Sequence, residues 1–496
     1  MPNSLKINFD NSYAKLSQAF FVEEKPKSVS NPTLIKFNYE LAHELGLPIN
    51  QETNKFSNAE LAAYFSGNQI PQGATPITMA YSGHQFGHFV PTLGDGRANL
   101  MGEVIAPNGV RYDVQLKGSG PTAFSRNGDG RSALGPVIRE YVVSEAMHKM
   151  HVPTTRALAM VLTGEKVQRE TAMAGGILTR VAKGHIRVGT FQYFAARQDL
   201  ESLNTLTNYC LNRFYSEPKN NSENNALSLL QHVISKQAAL IAKWMSLGFI
   251  HGVMNTDNMS IVGETIDYGP CAFMDHYDPA TVFSFIDKNG RYAYANQTSI
   301  GIWNLARLAE ALLPLIDEDS EKAVELAKIE LEKYEHLYHT AWLSNMGAKI
   351  GIQEPNESDN DQIKHLLEIM HKKNADFTLT FRALASFLRG SDEDMAALFD
   401  KDEDMTMWLN FWQKRLEMQP CAMSDIANEM DTINPLYIPR NHLVEEAIEA
   451  AYENDFSKME ELHKVLANPF IEQEVDPKFV MPPNEDQVVT NTFCGT

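Results

Sequence analysis

The most informative spacing in the sequence is that of His251, Asn258 and Asp267. Loops that catalyse phosphoryl transfer commonly read His-x-Asp-x-x-x-x-Asn, where the Asp accepts the proton of the acceptor hydroxyl and the Asn binds a metal ion. A downstream Asp-Phe-Gly supplies the other metal ligand, and Asp267 begins a matching D-Y-G. The position of the proton acceptor, however, is Val253, which has no basic group.

Residues suited to nucleotide phosphates precede this loop. Gly94, Gly96 and Gly102 in LGDGRANLMGEV would let a backbone hairpin approach phosphates closely. Lys117 lies on the polar face of a predicted strand, and Glu140 on a predicted helix can pair with it. Each feature alone is usually structural, since glycine-rich hairpins, strand lysines and helical glutamates are common. Their order, followed by the loop and D-Y-G, predicts a protein-kinase-like fold.

The elements that position these residues follow from hydrophobic periodicity. RYDVQLKGS alternates as a strand, and GPVIREYVVSEAMHKM has helical spacing. RALAMVLTGEKVQRE predicts two strands joined by a tight turn, and GGILTRVAK predicts another strand. MSIVGETI predicts a hairpin between the loop and D-Y-G. ALSLLQHVISKQAALIAKWMSLG predicts a long helix capped by Gly248.

These elements predict an α+β protein with a bilobal, protein-kinase-like fold. We expect an N-terminal extension over residues 1–75, packed on the kinase-like core, and a small, mixed, β-rich N-lobe over 76–200 that binds nucleotide. A large, mainly helical C-lobe with the catalytic and metal-binding loops follows over 201–465, and residues 466–496 form a C-terminal tail.

Composition and charge indicate which kinds of partner and which cellular compartment to expect. A net charge of −20 over 496 residues argues against general nucleic-acid binding, which needs a basic surface. No apolar run approaches the roughly 18–20 residues of a membrane span, and the N terminus lacks a secretory pattern. The four cysteines are widely spaced and form no C-x-x-C pair, which argues against a structural zinc site or a disulfide framework and favours a reducing compartment. We therefore expect a cytoplasmic monomer that binds neither membrane nor nucleic acid.

Two histidines have the spacing of a metal pair. His84 and His88 in GHQFGHF stand at i and i+4, as in helical metal sites. The interleaved glycines argue against a helix, so we expect loop or packing roles for both side chains.

Five blocks of the sequence resemble the selenoprotein O family of protein adenylyltransferases: YSGHQFGHFVPTLGDGRA, QLKGSGPTAFSRNGDGRSALGPVIREY, GGILTRVAKGHIRVGTFQYFAAR, HGVMNTDNM and IDYGPCAFMD. The resemblance runs from about residue 10 to the C terminus. It implies a kinase-like fold that binds ATP in a flipped orientation with Mg²⁺, or Mn²⁺. It further implies transfer of AMP to Ser, Thr or Tyr hydroxyls of protein substrates, with release of pyrophosphate.

The resemblance also implies roles for individual residues. It assigns nucleotide binding to the glycine loop, an ion pair, an inserted loop and two arginines: Gly94, Gly96, Arg97, Lys117, Glu140, Asp129, Gly130, Arg180 and Arg187. It makes Asp257 the proton acceptor, and Asn258 and Asp267 the metal ligands.

A C-terminal cysteine adds a redox hypothesis. Many eukaryotic members of the family carry selenocysteine third from the end, where this chain has Cys494. An exposed tail thiol is reactive, and a reversible disulfide with Cys271, just past Asp267, would affect the site. The alternative is an inert surface thiol.

Two other functions compete with adenylyl transfer. One is an atypical protein kinase that uses Asp257 as a displaced base, and the other is a non-catalytic, ATP-binding scaffold. Val253 argues against an ordinary kinase. The presence of both Asn258 and Asp267 argues against a scaffold, which has no need of metal ligands.

Overall fold

An antiparallel β-sheet dominates the N-terminal part of the chain. The computed structural model describes residues 4–53, 55–215, 224–400, 402–490 and 492. Its strands are β1 (Phe21–Glu23), β2 (Thr33–Phe37), β3 (Ile77–Met79), β4 (Gly83–Gln85), β5 (His88–Val90), β6 (Ala98–Ile105), β7 (Arg111–Lys117), β8 (Ser132–Ala133), β9 (Arg156–Gln168), β10 (Ala172–Ala182), β11 (Phe249–Ile250) and β12 (Ala272–Phe273). The main sheet has the order β1-β3-β6-β7-β10-β9-β2, with β8 on β10, while β4 pairs with β5 and β11 with β12.

Helices form most of the remaining described chain. They are α1 (Tyr39–Glu44), α2 (Asn58–Phe65), α3 (Leu134–Lys149), α4 (Val188–Ala195), α5 (Leu200–Phe214), α6 (Asn225–Leu247), α7 (Gln297–Ile316), α8 (Ser320–Lys349), α9 (Glu357–Lys373), α10 (Phe377–Leu388), α11 (Glu393–Phe399), α12 (Glu403–Leu416), α13 (Met423–Ile433), α14 (Asn441–Tyr452) and α15 (Ser457–Leu466). Twelve of these helices follow the sheet, which confirms an α+β chain with an N-terminal sheet region and a mainly helical C-terminal region.

The described residues among the first 75 are continuous with the sheet. They supply both of its edge strands, β1 and β2. Helices α1 and α2 bury Leu41 and Leu61 in one cluster with Leu158 and Val161 of β9. The boundaries expected at residues 75, 200 and 465 stay predictions.

Several expected elements are present. The strand expected in RYDVQLKGS is β7, and the helix expected in GPVIREYVVSEAMHKM is α3. The long helix is α6, and Gly248 ends it with a φ of 70°, a conformation that glycine adopts without strain. GGILTRVAK lies in β10.

Two predictions of local structure were wrong. RALAMVLTGEKVQRE forms the single strand β9, which continues through Gly164 because residues on both sides of it pair with β10. Gly164 has a φ of 75° and bends the strand where the register shifts. MSIVGETI forms no hairpin, since Ser260 bridges to Arg187 and Thr265 bridges to Thr154.

One helix in the described chain meets the length and composition of a membrane span. The segment Tyr294–Ile316, which includes α7, has a mean hydropathy of 1.3, and 50% of that window is buried inside the protein. Helix α7 contacts α4, α6 and α8, which is the packing of a core helix. The absence of a membrane partner stays a prediction.

Arg440 anchors the segment after D-Y-G to the helical region. Its guanidinium is fully buried and donates to Asp275 and, at 2.8 Å, to Asp376 at the start of α10. Its Nε also donates to the carbonyl of Val480 at 3.0 Å. Removing this cation would leave the buried Asp376 carboxylate and the partly buried Asp275 carboxylate without their shared partner.

We predict that Arg440→Met lowers the free energy of unfolding by about 3–5 kcal/mol, the usual cost of breaking a buried charge pair. The control is Arg389→Met, because Arg389 pairs with Asp431 at a half-exposed surface position. That change should cost less than about 1 kcal/mol. Denaturant titration checks both, and equal losses would contradict the assigned anchoring role.

Candidate active site

A cavity of about 810 Å³ lies between the sheet and the helical region. Eleven of the predicted site residues line it: Gly94, Gly96, Arg97, Lys117, Asp129, Gly130, Arg180, Arg187, Asp257, Asn258 and Asp267. Among the described residues its lining carries seven basic and four acidic side chains. The cavity therefore offers excess positive charge within a chain of net charge −20.

Asp267 lies at the centre of the charged groups. Lys117 Nζ is 3.0 Å and Arg180 Nη2 is 2.6 Å from its Oδ1, and Arg187 Nη2 is 3.4 Å from its Oδ2. Burial alone would raise the pKa of Asp267, but these three cations hold it well below its usual range. The carboxylate is therefore ionised at neutral pH.

Strand register brings these cations together. Side chains alternate along β7, so Gln115 and Lys117 share one face, and Arg180 of β10 stands opposite Gln115. Glu140 of α3 lies behind the cavity, where its Oε2 is 2.6 Å from Lys117 Nζ and its Oε1 is 2.5 Å from Arg180 Nη2. The expected Lys117–Glu140 pair is present, and Glu140 also holds Arg180.

Asp95 and Tyr81 were missed by the sequence analysis. Asp95 is buried, and its Oδ1 lies 3.4 Å from Arg187 Nη1. The Arg187 guanidinium also lies 4.4 Å from the centre of the Tyr81 ring. Burial raises the pKa of Asp95, while Arg187 opposes that shift. The feature of the sequence that could have indicated Asp95 as a site residue is its position between Gly94 and Gly96.

The loop glycines are required by close packing. A Cβ on Gly94, whose φ is 68°, would lie 2.2 Å from the Phe124 ring. A Cβ on Gly96 would lie 2.9 Å from the Phe124 carbonyl oxygen. Gly102, expected in the same hairpin, lies inside β6, where a Cβ would meet Asn11 Oδ1 at 2.3 Å. Packing therefore accounts for the three glycines independently of any phosphate.

Asp129 and Gly130 belong to the loop that covers these glycines. Asp129 Oδ2 accepts from Arg169 Nη1 at 2.8 Å, so this part of the loop is tied to the β9–β10 connection. Gly130 has a φ of 62°, and a Cβ there would lie 2.2 Å from the carbonyl carbon of Gly120. The inserted loop thus forms one wall of the cavity.

His251 links the loop of residues 251–258 to the segment that precedes Asp267. Its Nε2 lies 2.8 Å from the carbonyl oxygen of Ile266, and its Nδ1 accepts from the Val253 N–H at 3.4 Å. Burial lowers the pKa of His251, which favours the neutral ring. Val253 lines the cavity and offers no proton acceptor.

Asp257 and Asn258 lie in a single 3-10 turn, Thr256–Asn258. Burial raises the pKa of Asp257 to about 6. Its Oδ2 accepts from Gln85 Nε2 at 3.2 Å, and its buried Oδ1 has no partner among the described residues. Asn258 donates its Nδ2 to the Val253 carbonyl at 3.0 Å, so its Oδ1 is the atom left to bind a cation.

The donor atoms of Asn258 and Asp267 suit Mg²⁺. This ion prefers oxygen ligands and is usually held by one or two carboxylates together with substrate phosphates. Within the described ranges, no three His, Cys, Asp or Glu side chains form a metal-binding group. A cation here would therefore depend on the Asn258 amide oxygen, the Asp267 carboxylate and the nucleotide.

His84 and His88 lie on the β4–β5 hairpin, in agreement with the expected absence of a helix. His84 Nδ1 lies 2.8 Å from Gln192 Nε2, and His88 is exposed. Cys271 is buried beside β12, and its carbonyl accepts from Arg139 at 3.3 Å. Cys494 lies outside the described residues, so the disulfide between these two cysteines stays a prediction.

Comparison with known proteins identifies the class of protein to which this chain belongs. The family model described as protein adenylyltransferase SelO matches residues 3–467. Proteins named protein nucleotidyltransferase YdiU are 54% identical in Rhizobium rhizogenes, over 99% of this chain and 97% of the relative, and 51% identical in Maridesulfovibrio salexigens, over 98% of each. The protein is a nucleotidyltransferase, and the family implies ATP as its substrate. The chain belongs to the protein adenylyltransferase SelO family.

We predict that Glu140→Gln lowers kcat/KM for nucleotide transfer about 10- to 100-fold, because Lys117 and Arg180 lose the carboxylate that orients them. Transfer of label from α-labelled ATP measures the effect. Glu445→Gln is the control, since Glu445 pairs with Arg139, the neighbour of Glu140 on α3, outside the cavity. Equal activities of the two variants would contradict this role for Glu140.

Glu264, three residues before Asp267, contacts the chain just past β10, the strand that carries Arg180. Its Oε2 accepts from the Lys183 N–H at 3.0 Å, and burial raises its pKa from 4.5 to about 7. The folded protein therefore binds this proton more tightly than the unfolded chain. The resulting stability is fully present below about pH 4.5 and is lost as the pH rises through about 7.

We predict that Glu264→Gln is more stable than the parent protein at pH 8, by at most about 3 kcal/mol. The glutamine still accepts the Lys183 N–H but does not ionise. Denaturant titrations between pH 5 and pH 8 should show a difference that grows with pH. A difference independent of pH would contradict the assigned ionisation.

Proposed function

We propose that this protein transfers AMP from ATP to Ser, Thr or Tyr hydroxyls of protein substrates and releases pyrophosphate. The observation that carries the proposal is the group of three cations, Lys117, Arg180 and Arg187, around Asp267 in the cavity. ATP carries about four negative charges, and more charge develops on the departing pyrophosphate. A site with several fixed cations stabilises that charge.

We interpret the architecture as a kinase-like bilobal fold. The sheet with α3 would be the small lobe and the helices after residue 200 the large one. The Lys117–Glu140 pair, the 251–258 loop and the D-Y-G at Asp267 support this interpretation, because they meet at one cavity in the order used by kinases. An ATP molecule bound in the flipped orientation would present its α-phosphate to Asn258 and Asp267.

Each group then has a defined task. Arg180, Arg187 and Lys117 bind phosphate oxygens, with Arg offering paired N–H donors. A magnesium or manganese ion, when bound by Asn258 and Asp267, would neutralise charge on the reacting phosphate. Asp257 lines the cavity next to Asn258 and accepts the proton of the acceptor hydroxyl.

The bond changes are those of a simple displacement. The hydroxyl oxygen of the protein substrate forms a bond to the α-phosphorus. The bond from that phosphorus to the oxygen bridging the α- and β-phosphates breaks, and pyrophosphate leaves with the electron pair. The hydroxyl proton passes to Asp257, the carboxylate on the cavity wall, because Val253 offers no acceptor at the usual position.

We predict that label from α-labelled ATP becomes covalently bound to protein and label from γ-labelled ATP does not. Transfer of the γ label would instead indicate a kinase, and transfer of neither label would indicate a scaffold. The measurement is protein-bound radioactivity after denaturing electrophoresis.

Asp267→Ala should abolish transfer of the α label, because the site loses the carboxylate around which its cations gather. The matched control is Asp404→Ala, at a half-exposed aspartate of α12 that pairs with Lys372 outside the cavity. Retained transfer in Asp267→Ala would contradict the assignment of this carboxylate.

A further inference from the structure

The β4–β5 hairpin docks on the catalytic loop through three consecutive residues. The N–H of His84 donates to Thr256 Oγ1 at 2.7 Å, and Gln85 Nε2 donates to Asp257 Oδ2 at 3.2 Å. The N–H of Phe86 donates to Asn255 Oδ1 at 3.0 Å. The hairpin thus contacts each of residues 255–257, which include the proposed proton acceptor Asp257.

This docking requires close approach of the two backbones. A Cβ on Gly83 would lie 2.4 Å from Asp257 Oδ1. A Cβ on Gly189, at the start of α4, would lie 2.0 Å from the Ser82 carbonyl oxygen. Gly83 in the hairpin and Gly189 beside it therefore allow the close contact with the loop, a packing role that the proposed function does not give them.

Gln85 is the one side chain of the three that reaches the reacting carboxylate. Gln85 and Phe86 both line the cavity, but Phe86, like His84, contacts the loop through its backbone N–H group. Because a carboxylate only accepts, the contact fixes the amide with Nε2 toward Asp257. No described residue donates to Oε1 of Gln85, which leaves that atom available to a substrate hydroxyl.

The surroundings give Asp257 little other support. Its Oδ1 is buried without a hydrogen-bond partner in the described chain, and it faces Gly83, which has no side chain. The side-chain hydrogen bond to Asp257 is the one that Gln85 Nε2 donates to Oδ2. Loss of that contact would let the carboxylate rotate away from a productive orientation.

We propose that Gln85 is a positioning residue that orients the Asp257 carboxylate to accept the proton of the acceptor hydroxyl. The inference rests on the proposed function, because it assumes that Asp257 is the proton acceptor. Gln85 itself gains and loses no proton. It acts through one hydrogen bond, so it affects the transfer step and leaves ATP binding to the cations across the cavity.

The experiment compares Gln85→Met, Gln85→Glu and the control His88→Ala in the full-length protein. Methionine keeps the length of the side chain without the donor, and glutamate adds a charge that repels Asp257. His88 is exposed on the same hairpin and lies outside the cavity lining. The readouts are kcat for transfer of the α label, the ATP dissociation constant by calorimetry, and the midpoint of thermal unfolding.

We expect Gln85→Met to lower kcat about 10- to 100-fold, with a larger loss for Gln85→Glu. The ATP dissociation constant should stay within about twofold of the parent value, as for His88→Ala. A kcat close to that of the parent would overturn the proposal. An equal loss of ATP affinity or a matching drop in the unfolding midpoint would also overturn it, since Gln85 would then act on nucleotide binding or on folding.

A double-mutant cycle tests whether Gln85 acts through Asp257. Asp257→Asn with Gln85→Met should be no slower than Asp257→Asn alone, because the residue to be positioned is already gone. If the double variant instead loses kcat by the product of the two single-variant losses, the proposal is contradicted. If the parent protein transfers no α label, the proposed function fails and this inference with it. If the parent does transfer label and Gln85→Met matches it, only this inference fails.

Discussion

Asp267 is a largely buried carboxylate at the cavity wall, and its charge is balanced by Lys117, Arg180 and Arg187. Burying an unpaired charge costs several kcal/mol, so the buried Arg180 and Arg187 need the carboxylates beside them. The requirement fixes the relative positions of β7, β10, the start of α4 and the D-Y-G segment, because each contributes one of the charges. The same cations suit the cavity to a polyanion. Phosphate oxygens can take the place of Asp267 as partners of the three cations, and a metal ion can take their place at Asp267.

The rest of the fold limits how far these charges can move. Helix α3, which carries Glu140, is covered by the C-terminal helices α14 and α15. Its Arg139 donates to Asn441 at 2.9 Å, and its Gly135 N–H donates to the Tyr452 hydroxyl at 3.0 Å. The ion pair between Lys117 and Glu140 is therefore held from the sheet on one side and from the helical region on the other. Preorganised charge of this kind stabilises a transition state without reorganisation during the reaction.

Much of the site follows from local patterns, and some of it does not. The alternation in RYDVQLKGS correctly predicted the strand β7 that carries Lys117, and the spacing in α3 correctly predicted a helix that carries Glu140. The turn expected at Gly164 is instead a bend within β9, because pairing with the long strand β10 outweighs the local preference of glycine. Asp95 and Gln85 were missed because their partners, Arg187 and Asp257, are distant in sequence, 172 positions away in the second case.

By itself the sequence determined the order of the chemical groups, the type of most elements around them, and the family to which the chain belongs. It also showed that Val253 cannot accept a proton. Only the tertiary structure decided which charges meet at Asp267, that Glu140 holds Arg180 as well as Lys117, and that Gln85 contacts Asp257. Periodicity reports which face of an element is buried. The distance between two faces depends on sheet register and backbone approach, which arise only when the whole chain packs.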